Sequence, residues 1–109
     1  MDLIEKIQNQ PETLSFSEVI AYIDSKYTFT PTRFTNGDNV NEANQNNGSC
    51  KIFYFAKLNN LSAEQTLQLF GDYYRIDVLQ NPEGSDHQNI RNFMKFGWLG
   101  IIFDGEALQ

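Results

Sequence analysis

The sequence predicts an α+β domain, mainly helical, with about five helices and a small antiparallel hairpin-like pair formed by residues near 32–36 and 99–103. Three observations predict it. Capping-box patterns open three segments, at Ser15-Phe16-Ser17-Glu18, Ser62-Ala63-Glu64-Gln65 and Ser85-Asp86-His87-Gln88. Apolar residues recur at helical spacing behind each of them. Thr alternates with aromatic residues from Thr28 to Thr35, and an apolar, β-branched tail follows Gly97. With 109 residues, 40% of them hydrophobic and 14% aromatic, the chain fits one domain, 1–109, around one ring-rich core.

Taken in order, Leu3, Ile4 and Ile7 place a short amphipathic helix before Pro11. Phe16, Val19, Ile20, Ile23 and Tyr27 then share one face of a helix to about Lys26. The Thr-aromatic stretch contains Pro31, which confines any strand there to an edge, and it ends in the turn dipeptide Asn36-Gly37. From Asp38 to Gly48 only Val40 and Ala43 are apolar, which predicts a loop. Ser49 is the expected cap of a central helix with Cys50 and Lys51 in its first turn and Ile52, Phe53, Phe55 and Ala56 on its apolar face. The helix opened by Ser62 is expected to carry Leu67, Phe70 and Tyr74 inward and to run through Gly71 towards Val78. Asn81-Pro82-Glu83-Gly84 is a turn, and the last helix should bury Ile90, Phe93, Met94 and Phe96 before Gly97 stops it.

Charge narrows the partners. The formal net charge of −6 sets up a field that repels phosphate backbones and anionic headgroups, so neither nucleic acid nor membrane is expected as a partner. No run of residues has the length and apolarity of a membrane span, and the N-terminus lacks the basic start and apolar centre of a secretory signal, so a soluble, cytoplasmic protein is expected. The lone Cys50 fits a reducing compartment.

Four blocks carry a resemblance. They are Phe29-x-Pro31-Thr32-x-Phe34-x-Asn36-Gly37, Asn47-Gly48-Ser49-Cys50-Lys51, Leu67-x-x-Phe70-Gly71-x-Tyr73-Tyr74-Arg75, and Asp86-His87-x-Asn89-Ile90-Arg91-x-Phe93-x-x-Phe96-Gly97-Trp98. Together they resemble the HopJ type III effector family, across essentially the whole chain. The family is named after secreted effectors of plant-pathogenic bacteria, so the resemblance implies export by a type III secretion system and brings no catalytic residues with it. A chain that starts on a helix from Asp2 to Asn9 lacks the flexible Ser- and Asn-rich start such export uses, and by itself reads as cytoplasmic.

Two kinds of site can be built from the residues. Cys50 in a first helical turn beside Lys51, with His87 as base and Asp86 or Asp77 as orienter, would form a cysteine-dependent hydrolase or transferase. The alternative for Cys50 is a small core residue, and for His87 and Asp86 a helix cap. Arg33, Arg75 and Arg91 could converge on a small anionic ligand or pair with acids such as Asp38, Asp72, Asp77 and Asp86. The amides of the polar segment, Asn36, Asn39, Asn41, Asn44 and Asn46 with Glu42, could read a peptide or sugar or hold their own turns. One His, one Cys and scattered carboxylates give no metal-ligand spacing, so neither a metal nor a cofactor is expected. The leading expectation is a non-enzymatic module that binds an unknown protein or small anionic ligand between the Asn-rich segment and the blocks around Arg75 and His87.

Overall fold

The computed structural model describes residues 2–109. Asp2 caps α1 (Leu3–Asn9) by accepting the Glu5 N–H at 2.9 Å, and α1 buries Leu3 and Ile7 as its periodicity requires. A 3-10 turn over Pro11–Thr13 leads into α2 (Phe16–Lys26), whose capping box forms in full: the Glu18 N–H donates to Ser15 Oγ and the Ser15 N–H to the Glu18 carboxylate. That second bond holds Glu18 below the usual carboxylate range, and Lys6 Nζ at 3.0 Å from the same carboxylate ties α1 to α2.

The sheet has three strands. The expected pair is present as β1 (Phe34–Asn36) and β3 (Ile101–Phe103), antiparallel with Phe34 opposite Phe103. The predicted loop contains a third strand, β2 (Asn39–Asn41), joined to β1 by the two-residue turn Gly37-Asp38 with Gly37 at φ +63°. β1 is therefore the central strand and not an edge, since Pro31 stands three residues before it. Phe34 and Asn36 face inward; Val40 and Ile102 lie opposite Thr35 on the outward face. An isolated bridge from Phe29 to Leu108 fastens the C-terminal residues to the segment before β1.

α3 (Asn47–Leu58) is the centre of the molecule, with Ile52, Phe53, Tyr54, Phe55 and Ala56 all buried in succession. A helix enclosed on every side needs apolar residues all round, and this sequence supplies them. The Phe53 ring lies 6.1 Å from Phe34, 5.4 Å from Phe70 and 5.0 Å from Phe93, while Phe55 meets Tyr22 and Tyr27 edge-on. Ser49 is not its cap. Asn46 holds that position at φ +54° without a side-chain bond to the helix, so Ser49 and Cys50 are the third and fourth helical residues.

α4 (Ala63–Gln68) carries the second complete capping box, between Ser62 and Gln65, and buries Leu67. It does not run through to Val78: Gly71 at φ +61° breaks it, and a π-helical turn over Tyr73–Val78 follows. Phe70, Tyr74 and Val78, spaced four residues apart, all reach the core in spite of the break. The Asn81–Gly84 turn closes with a Gly84 N–H to Asn81 carbonyl bond of 2.9 Å. α5 (Gln88–Phe96) buries Ile90 and Phe93 but leaves Met94 46% and Phe96 38% exposed, and its third capping box is absent because His87 occupies the cap position at φ +51°. Beyond it a 3-10 turn, Gly97–Gly100, shortens the expected strand to Ile101–Phe103. Trp98 of that turn packs edge-on to Phe93 and donates its indole N–H to the Leu61 carbonyl.

Candidate functional site

The starts of α3 and α5 open on one cleft of about 340 Å³. Asn39, Asn46, Gly48 and Ser49 line one wall and His87, Gln88 and Asn89 the other, with Phe16, Phe70, Tyr73 and Ile90 supplying apolar surface. The aromatic part is continuous: Phe16 packs 6.4 Å from Phe70 and 5.1 Å from Tyr73, and Tyr73 lies 5.0 Å from the His87 ring. A second groove of about 400 Å³ shares Phe16, Phe70 and Tyr73 and extends to Asp72 and Arg75. The cleft lies between the Asn-rich segment and His87, and Arg75 lines only the second groove.

Behind the amide wall is a buried network. Asn41 and Asn89 form a reciprocal carboxamide pair, Asn41 Nδ2 donating to Asn89 Oδ1 at 3.1 Å and Asn89 Nδ2 to Asn41 Oδ1 at 2.9 Å. Asn36 Nδ2 donates to Asn89 at both its backbone carbonyl (2.8 Å) and its Oδ1 (3.1 Å); Asn46 Nδ2 donates to Asn41 Oδ1 at 2.7 Å. Asn36 Oδ1 is the one buried side-chain polar atom without a partner among the described residues. The network fixes amide orientation at the cleft, because Asn46 has its nitrogen turned inward and its oxygen left over. Asn89 was missed as a site residue. Its signal was in the sequence: it stands four before Phe93 on the buried stripe of α5, where a carboxamide must find partners.

Helix geometry adds donors. Neither Asn46 nor His87 caps its helix with a side chain, and the N–H groups of Asn47, Gly48, Ser49, Gln88 and Asn89 have no acceptor among the described residues. Gly48 is required for the shape of the cleft, since a Cβ there would come within 2.8 Å of the Phe16 ring.

The structure places His87 with acids and away from the thiol. His87 Nε2 is 3.0 Å from Asp77 Oδ2 and 3.8 Å from Asp86 Oδ2, so the expected Asp77 partner is in place. Asp86 is held below the usual carboxylate range first by its hydrogen bond from Arg91, whose Nη2 is 2.6 Å from Oδ1. Asp77, Asp86 and His87 present three ligand atoms within 4.8 Å of one another, a set that could touch one cation; no fourth His, Cys, Asp or Glu among the described residues joins them. Cys50 belongs to a different neighbourhood: its thiol is buried, donates to the Thr32 carbonyl at 3.6 Å, and is pushed up to about 11 by burial. Its own N–H is already bonded to the Asn46 carbonyl, so the first-turn activation expected from the sequence is missing. Because the folded state raises this pKa, the fold holds the neutral thiol and resists ionisation as pH rises. Native protein at neutral pH is expected to react with iodoacetamide at least roughly tenfold more slowly than the urea-unfolded chain; equal rates would place the sulfur in solvent.

The three arginines do not converge. Arg33 bridges Glu42 (2.9 Å) and Asp104 (3.1 Å) outside the sheet. Arg75 donates to the carbonyls of Pro11 and Leu14 and to Gln68 Oε1. Arg91 braces the 81–86 loop through the carbonyls of Asn81 and Asp86. Asn36 is buried behind Asn89 and supports the wall without lining the cleft.

Comparison with known proteins agrees with this architecture. A solved structure described as that of unknown function protein VPA0580 is similar to this chain at 52% identity and TM-score 0.97, covering 100% of this chain and 93% of that one. Comparison with curated proteins found no match. No helix among the described residues is long and apolar enough to cross a membrane. A family model described as HopJ type III effector protein matches residues 1–108, over the blocks that build both walls of the cleft, and the chain belongs to the HopJ family.

Proposed function

We propose that this protein is a non-enzymatic binding domain whose ligand enters the cleft between the starts of α3 and α5. The observation that carries the reading is the make-up of that cleft: two uncapped helix starts supply unpaired N–H donors, pre-oriented amides supply acceptors, and an aromatic wall supplies a flat apolar surface. No Lys or Arg lines it, so the ligand class it fits is a small polar group with both donors and acceptors, such as a peptide amide or a sugar. A small anion would depend on the helix N–H groups and His87 alone, against the carboxylates of Asp77 and Asp86.

Titration of labelled protein with glycylglycine amide, N-acetylglucosamine, acetate and phosphate, read by amide resonances, tests this. The neutral probes are expected to shift Gly48, Ser49, Gln88 and Asn89 in the millimolar range typical of fragments, about 1–10 mM. Tyr73→Ala should weaken that response with the fold intact. Shifts from acetate and phosphate alone would make the site an anion site, and no localised response to any probe would overturn the reading.

A further inference from the structure

The chain contains two Asn-Gly dipeptides, Asn36-Gly37 and Asn47-Gly48, and the fold treats them in opposite ways. Asn-Gly is the pair most open to attack of the following backbone nitrogen on the side-chain carboxamide, because glycine puts no side chain in the way. At Asn36 every participant is held. Its Nδ2 donates twice to Asn89, its backbone carbonyl accepts from Asn92 at 3.1 Å, and the Gly37 N–H donates to the Gly100 carbonyl at 2.9 Å. The residue is fully buried, so neither the base that would remove the Gly37 proton nor the water that would hydrolyse the product has access.

Asn47 differs on each count. It is the first residue of α3 and half-buried, its carboxamide has no hydrogen-bond partner among the described residues, and the Gly48 N–H has no acceptor. Helical backbone keeps the Gly48 nitrogen from the carboxamide carbon, so attack needs the first turn to open. That turn is weakly held, because Asn46 gives it no side-chain cap, and uncapped helix ends fray at low free energy.

We propose that Asn47 is a spontaneous modification site at the start of α3, between the cleft-lining residues Asn46 and Gly48. The Gly48 nitrogen, losing its proton to solvent base, bonds to the Asn47 side-chain carbonyl carbon; the carbon–Nδ2 bond breaks and the nitrogen leaves as ammonia. Water then opens the cyclic imide at either carbonyl, giving aspartate or isoaspartate at position 47. No oxidant or cofactor is needed. Either product puts a carboxylate among the unpaired N–H groups of the α3 start, where the helix dipole favours negative charge. The isoaspartate also lengthens the backbone by one carbon beside the Phe16–Gly48 contact. The proposal is independent of the ligand assigned to the cleft.

The test is incubation of the native protein at mildly alkaline pH and body temperature, followed by peptide mapping with tandem mass spectrometry, since trypsin leaves both dipeptides in the 34–51 peptide. Conversion is expected at position 47 at least about tenfold faster than at position 36. In a urea-unfolded control both should convert at similar rates, and N47Q should remove the fast phase while leaving the fold unchanged by circular dichroism. Native conversion at position 36 as fast as at 47, or an intact Asn47 under conditions where the unfolded chain converts, would overturn the assignment.

Discussion

Replacing Asn89 with alanine is expected to lower the unfolding free energy by about 3 kcal/mol or more, from the loss of a hub that three other residues use. The Asn89 side chain accepts from Asn36, Asn39 and Asn41 and donates to Asn41. Without it Asn41 Nδ2 has no partner in a site where Asn41 is 1% exposed, and each buried polar atom left unpaired costs roughly 1–3 kcal/mol. Asn36 keeps one bond, to the residue 89 backbone carbonyl, which limits the damage. Urea denaturation measures the effect. Asn92→Ala on the half-buried side of the same helix provides the control and should cost no more than about 1 kcal/mol. Exchanging Asn41 and Asn89 together for leucine should recover part of the loss, since removing both partners leaves fewer orphaned groups than removing one. A loss below about 1 kcal/mol for Asn89→Ala would show that water replaces the side chain and that the network is not what joins the hairpin to α5.

Gly71→Ala is expected to cost about 3 kcal/mol for an unrelated reason. A left-handed conformation at φ +61° penalises any Cβ by roughly 1–2 kcal/mol. The added methyl would also come within 2.8 Å of Phe16 N, 3.2 Å of Ser15 Cα and 3.3 Å of the Leu14 oxygen, all backbone atoms that cannot rotate away. These belong to the start of α2, so the strain would reach its capping box and the Phe16 wall of the cleft. At Gly105 a Cβ would meet only Thr32 Cγ2 at 3.8 Å, and alanine there should lie within about 0.5 kcal/mol of the parent. Equal thermal shifts for the two variants would remove the argument.

Local patterns were legible in the sequence wherever local bonds decide the outcome. The boxes at Ser15 and Ser62 form because each needs only its own first turn. The one at Ser85 has the same letters and fails, because His87 is drawn to Asp77 ten residues back while the Gln88 amide donates to the Ser85 carbonyl. β2 was hidden for a similar reason. Asn39-Val40-Asn41 has little strand character of its own and is held by β1 on one side and by Asn89 from α5. The position of the cleft could be anticipated from where polar residues gather at element ends; which residues would meet there could not, since Arg33, Arg75 and Arg91 each found carbonyls or acids close by. Cys50 has a first-turn position only with Ser49 as the cap; with Asn46 there it is the fourth helical residue.

The central strand also sets an order of assembly. β1 meets β2 across a two-residue turn, so that pairing closes on the microsecond scale of an isolated hairpin. Its other edge is completed by β3, from the far end of the chain, and such a long closure has to wait until most of the intervening helices have collapsed. During that interval the inward face of Phe34 and one whole edge of β1 are bare. Folding speed should therefore follow how quickly α3 gathers Phe34, Phe70 and Phe93 around Phe53, with docking of β3 as the final event.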